Sequence, residues 1–170
     1  MKKIIFSFLM AVAAIFQSQS QDIASTNIIN KGDKSPSFEI ISTNGNVKSS
    51  DLKGKVVLIN FFTTWCGPCQ KELAEVEKTL WPKFKDNKNF VMLIIGREHN
   101  EEQLSKYNET KKFSFPLYPD ENKAVYSLFA KNYIPRSYLI DKNGKVVFQS
   151  VGFNENEFSE LMGLIENLSK

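Results

Sequence analysis

Cysteine is nearly absent from this sequence: Cys66 and Cys69 are the only two in 170 residues. No disulfide framework can therefore hold the fold, and no second pair is present to complete a structural zinc site, which takes about four ligands. Histidine is scarcer still, with His99 alone. No cluster of Lys and Arg interleaved with aromatics occurs, and the formal charge is only +3, which argues against a nucleic-acid partner. Internal repeats and low-complexity stretches are missing. What remains is ordinary globular composition, 42% hydrophobic with Phe as the leading aromatic. A single domain of this length buries roughly 70% of the surface its unfolded chain exposes. It needs no covalent staple, and the two cysteines are free for chemistry.

The N-terminus has an apolar run, but a short one. Lys2-Lys3 precede Ile4 to Phe16, and Gln17-Ser18-Gln19-Ser20 follow. The run falls short of the roughly 18 to 20 residues that span a bilayer, and its flanks are those of a secretory signal peptide cleaved near Ser20 rather than of a retained anchor. No cysteine lies near that junction, so no lipid anchor is expected there. Residues 1–20 are thus read as leader, 21–34 as a polar lead and 35–170 as the domain. Loss of the leader removes two lysines and no acid, and leaves a nearly neutral chain. Outside the cytosol disulfides persist, so an exported dithiol stays reduced only while a partner supplies electrons.

The chain is organised around Val56 to Cys69. Val56–Phe62 is almost continuously apolar and rich in β-branched and aromatic residues, the pattern of a buried central strand. From Gly67 the period changes, with Leu73, Val76, Leu80, Trp81 and Phe84 three or four residues apart. The cysteines therefore stand where a strand hands over to a helix, with Pro68 in its first turn. Unpartnered backbone N–H groups and the helix dipole stabilise a thiolate at Cys66 and lower its pKa. The stretch reads as a dithiol–disulfide redox centre. An inert structural disulfide is the blander alternative, but a loop this small constrains little.

In chain order, Phe38–Ile41 and Val47-Lys48 flank the turn Asn44-Gly45-Asn46 as a hairpin. The helix after the cysteines is expected to end or kink at Trp81-Pro82. Phe90–Ile95 is a second buried strand, and Asn100 with Gln103 caps a helix from about Glu101 to Lys112. A proline-punctuated extended segment runs from Phe115 to Asp120, and Asp120 caps a further helix carrying Val125, Leu128 and Phe129. Ser137–Ile140 and Val146–Phe148 form a terminal hairpin about Asp141-Lys142-Asn143-Gly144, before an amphipathic helix from Glu155 to Leu168. Strands alternating with helices imply an α/β fold, a central mixed sheet flanked by helices.

Trp65-Cys66-Gly67-Pro68-Cys69 at a strand-to-helix junction, with Ile134-Pro135 before a later strand, resembles the thioredoxin superfamily. Pro36-Ser37-Phe38, Leu52-Lys53-Gly54-Lys55 and the extra strand–helix unit near 90–112 narrow the resemblance to TlpA/ResA-like thiol–disulfide oxidoreductases of bacterial envelopes. It covers residues 35 to 168. It implies a thioredoxin-like fold with an N-terminal hairpin and a strand–helix insertion. It also makes Cys66 the nucleophile, Cys69 the resolving thiol and Ile134-Pro135 a cis-proline site facing the disulfide, where backbone pairs with a bound peptide. Trp65, Gly67 and Pro68 complete the active-site surface. Glu98 matches a position where the family carries a glutamate near the cysteines, able to exchange a proton with Cys69. Asn60 departs from thioredoxins, which place a buried aspartate there, and so favours Glu98 as the relay. Nothing in the sequence fixes His99 toward the cysteines.

The expected function is reduction of protein disulfides by the Cys66–Cys69 pair, with no metal and no organic cofactor. Electrons come from a membrane thiol donor, and apocytochrome c is among the compatible clients. An oxidase or isomerase, and a non-catalytic peptide-binding module, are the alternatives. N-terminal sequencing of exported material is expected to begin just after Ser20; recovery of Met1 or Lys2 in the membrane fraction would overturn the leader assignment.

Overall fold

The structure is a computed structural model that describes residues 24–170; the expected leader lies outside them. Its centre is the strand the sequence singled out. Strand β3 (Val56–Phe62) is buried along its whole length, because both faces of the sheet are covered. It pairs in parallel with β4 (Phe90–Arg97) and antiparallel with β6 (Arg136–Ile140). β5 (Leu117–Asp120) lies parallel to β4, and β7 (Val146–Val151) antiparallel to β6, giving the order β5-β4-β3-β6-β7. A separate two-stranded hairpin, β1 (Glu39–Ile40) and β2 (Val47–Lys48), stands before them.

Alternation along β3 divides the core in two. Val56, Leu58 and Phe62 pack with Met92, Ile94 and Leu139 against one helical layer. That layer is α1 (Gly67–Glu75), represented by Cys69 and Leu73, and α5 (Glu155–Leu168), represented by Leu161 and Ile165. Val57, Ile59 and Phe61 face the other way, toward Phe38, Tyr126 and Phe129. Asn60 shares the parity of Leu58 and Phe62, so its amide lies beneath α1.

The helix that follows the cysteines does not end at Trp81-Pro82. It continues through a π turn (Val76–Leu80) into α2 (Trp81–Phe84), and Trp81 N–H donates to Val76 O. The wider turn accommodates Pro82, which lacks an N–H and would crowd the preceding carbonyl of a regular helix. Helix α3 (Glu101–Lys111) begins with the expected capping box and ends at Lys112 in the left-handed region, φ 58°. Pro119 is tolerated because β5 is an edge strand. The short α4 (Tyr126–Phe129) is held by Asp120, whose carboxylate accepts from Val125 N–H at 3.0 Å and Tyr126 N–H at 2.8 Å.

Arg136 ties the polar lead to this frame. Its side chain is buried and donates to Asn132 O (2.9 Å), Asn27 Oδ1 (2.6 Å), Tyr138 Oη (3.0 Å) and Thr26 Oγ1. Lys131 N–H to Thr26 O (2.8 Å) and Ile28 N–H to Phe129 O (3.0 Å) complete the docking. Arg136→Leu should lower stability by about 2–3 kcal/mol in urea unfolding and make residues 24–30 the first site of proteolytic cleavage. An unchanged midpoint would show that the lead is held by other contacts.

Candidate active site

Cys66 and Cys69 are joined as a disulfide at the N-terminus of α1. Cys66 is the N-cap residue and its Sγ accepts from Cys69 N–H at 3.2 Å. The same donor would face a Cys66 thiolate, together with the dipole of the helix. Cys66 is partly exposed whereas Cys69 is fully buried, so an incoming disulfide can reach only the first sulfur. Gly67 and Pro68 form the exposed rim between them, and Trp65 stands beside them at 67% exposure. The turn leading into the pair is held by Cys66 N–H to Thr63 O (3.3 Å) and by Gln70 Nε2 to Thr64 O (3.0 Å).

The Ile134–Pro135 bond is cis, Pro135 is buried and Ile134 is partly buried. Pro135 O accepts from Gly152 N–H at 2.9 Å. Tyr133 before it has φ 70°, its carbonyl is held by Tyr126 Oη at 2.7 Å and its ring is half-exposed.

The buried carboxyl of the site is not Glu98. That side chain lies partly in solvent between Arg97 (2.9 Å) and Lys123 (3.2 Å), and these cations hold its pKa below the usual carboxylate range, the Lys123 hydrogen bond foremost. A group poised to take a proton from a thiol needs the opposite shift. Glu72 has it. It lies three residues after Cys69 on α1, 4% exposed, and burial pushes its pKa up to about 7 against the opposing hydrogen bonds of Asn60 and Ser137. Ser137 Oγ donates to Glu72 Oε1 at 3.0 Å and accepts from Asn60 Nδ2 at 2.8 Å. Among the described residues, Glu72 Oε2 and Asn60 Oδ1 are buried acceptors without a donor. The signal was in the sequence: residues 69, 72, 73, 76 and 80 form one face of the helix, and a carboxylate interrupts that apolar stripe.

This site lies within a chain whose residues 30–165 match the Redoxin family model. The chain belongs to the redoxin family. It is 32% identical over 141 residues to the thiol-disulfide oxidoreductase ResA of Bacillus cereus, covering 81% of this chain and 78% of that one. The ResA of Bacillus subtilis is 32% identical over 142 residues, with 81% and 77% covered. A solution structure of a candidate protein disulfide isomerase from Bacteroides thetaiotaomicron superposes with a TM-score of 0.80 at 34% identity, over 84% of this chain and 92% of that one. A candidate thiol:disulfide interchange protein DsbE from Chlorobium tepidum gives 0.70 at 29% identity, over 84% and 99%. With its paired cysteines at a helix N-terminus, this redoxin is a thiol–disulfide oxidoreductase of thioredoxin-like fold. Among the described residues no group of three or more His, Cys, Asp or Glu side chains gathers to hold a metal ion, and no helix is long and apolar enough to cross a membrane.

Glu72 makes stability depend on pH. Its folded-state pKa lies above the ordinary 4.5, so between about pH 4.5 and 7 the folded chain keeps a proton that the unfolded chain releases. Stability falls as pH rises through that window and levels off above it. Glu72→Gln, neutral throughout, should abolish this slope and be more stable than the parent at pH 8 by about 3 kcal/mol, read from unfolding midpoints across pH.

Proposed function

We propose that this redoxin is an exported reductase of protein disulfides, with Cys66 as nucleophile, Cys69 as resolving thiol and Glu72 as the group that exchanges a proton with Cys69. The observation that carries the reading is a buried carboxyl of raised pKa one helical turn beyond a buried cysteine, under an accessible one. In the reduced protein the Cys66 thiolate attacks a client disulfide. One client sulfur bonds to Cys66, and the other leaves as a thiolate that takes a proton from water. Cys69 S–H then gives its proton to Glu72, and the Cys69 thiolate attacks Cys66 Sγ and expels the client sulfur bound there as a thiolate, which takes a proton from water. Two electrons pass to the client, and the Cys66–Cys69 disulfide remains to be reduced by a thiol donor. Glu72 finally releases its proton to solvent.

The dithiol carries both electrons itself, so the scheme needs no metal or organic cofactor. Ile134 supplies backbone to the client, and Trp65, Gly67 and Pro68 the surface beside the disulfide. The leader-like residues 1–20 support an extracytoplasmic site of action with a membrane donor, and apocytochrome c thiols are among the clients that fit. Glu98 stands outside the scheme, as a brace between Arg97 and Lys123.

Cys69→Ser should accumulate a mixed disulfide at Cys66, and Glu72→Gln should slow its resolution about tenfold near neutral pH while leaving the first attack intact. A reduction potential near about −270 mV accords with a reductase. One near about −120 mV would reverse the direction and make the protein an oxidase. Absence of any turnover with a disulfide substrate would leave only a binding module.

A further inference from the structure

His99, the single imidazole, is 2% exposed in a turn built to deliver it. Gly96 starts that turn, and a Cβ there would meet Leu104 Cδ2 at 2.6 Å and His99 Cβ at 3.2 Å, so the turn packs closely against α3. Glu98 follows with φ 63°, a conformation uncommon outside glycine. It is clamped by its ion pairs with Arg97 and Lys123 and by its N–H to Asp120 O at 2.9 Å. Asp120 N–H in turn reaches His99 O at 3.2 Å. The strained residue and its cations thus serve the position of the one after it.

The imidazole is fixed at both nitrogens. Nδ1 lies 2.8 Å from Arg97 O, which can only accept, and Nε2 takes Thr64 N–H at 3.4 Å, which can only donate. The proton therefore sits on Nδ1, and the Nε2 lone pair faces Thr64, whose Oγ1 is 2.9 Å away. Two aromatic rings lie near-parallel to it. Trp65 covers one face at 4.8 Å between centroids and 27° between planes, and Phe62 lies at 6.3 Å and 17°. Trp65 is the most exposed large hydrophobic side chain among the described residues, and it immediately precedes Cys66. An indole so exposed would ordinarily sample several rotamers. Here one face is seated on a buried ring whose own position is set by hydrogen bonds.

We propose that His99 is a positioning residue for client recognition: it locks Thr64 and the Trp65 indole so that the free indole face forms a fixed wall beside Cys66, against which apolar or aromatic residues flanking the client disulfide stack. The inference rests on the oxidoreductase reading and adds a preference to it. Seating the indole before the client arrives removes the ordering cost that a mobile tryptophan would add to binding. The preference falls on protein segments with apolar neighbours to the reacting cysteine. A small hydrophilic disulfide has nothing to place on the wall.

The test compares two substrates in the full mature chain and its His99→Ala, Trp65→Ala and doubly substituted forms. One is a disulfide peptide with Phe beside cysteine, and the other is bis(2-hydroxyethyl) disulfide. Each single substitution should lower the ratio of kcat/KM for peptide over small disulfide about tenfold, with the loss in KM for the peptide, and the double variant should lose no more than either single one. Equal losses on both substrates, or losses that multiply in the double variant, would overturn the inference. Should His99→Ala fail to fold, His99→Gln keeps a polar side chain but removes the ring under the indole, and an unchanged peptide KM there overturns the inference equally. A parent chain that turns over neither substrate would sink the oxidoreductase reading itself. Turnover of both without the selective KM effect sinks only the role of His99.

Discussion

A carboxyl group shut between a helix and a sheet cannot keep its charge cheaply, and the redox end of this protein depends on that constraint. Glu72 lies under α1 with a serine hydroxyl and an amide as its polar neighbours and no cation to stabilise the ionised form. Burial alone would drive it neutral, and Ser137 and Asn60 pull it back to about 7. The compromise leaves a group able to hold or release a proton at neutral pH, on the same helix face as a buried thiol. A single packing decision, the burial of one face of α1 against β3 and β6, thereby sets both the inaccessibility of Cys69 and the proton affinity of its neighbour.

The two faces of β3 carry different duties. Beneath α1, Leu58, Asn60 and Phe62 form the floor of the redox site. On the opposite side Phe61 packs edge-on to Tyr126 (5.2 Å) and against Phe129 (5.5 Å), the aromatic group next to which the lead docks. Arg136, opposite Phe61 in register and directly after the cis-proline, couples the two. The loop that would meet a client is therefore anchored through the polar lead as well as through the sheet.

Much of this was legible in the residues. The apolar run at Val56–Phe62, the cap at Asn100 and Gln103, the turn at Asp141–Gly144 and the last helix depend on neighbours within a few positions, and local pattern records them. Cys66 and Cys69 were legible for the same reason, since a strand end and a helix start bracket them. Glu98 comes out partly exposed and Glu72 buried, a difference in lost water that the assembled layers decide even though the apolar stripe around residue 72 is visible in the sequence. Glu98 also sits beside Arg97, and its second cation, Lys123, is distant in sequence. At Trp81-Pro82 the sequence allows an end or a kink, and it is the packed structure that resolves proline's conflict with a regular helix by widening one turn. His99 reaches the active site only through the left-handed turn at Glu98, which no periodicity announces.

The outer border of the sheet at β5 has a consequence for the company such a protein keeps. Pro119 offers no N–H to a neighbouring strand, and Leu117 O is already occupied by Asn44 Nδ2 at 2.9 Å from the hairpin loop. An open sheet edge is a ready template for any extended strand that meets it. By blunting this border the fold discourages a second strand from adding on there, at a distance from the exposed Trp65 and the partly exposed Cys66.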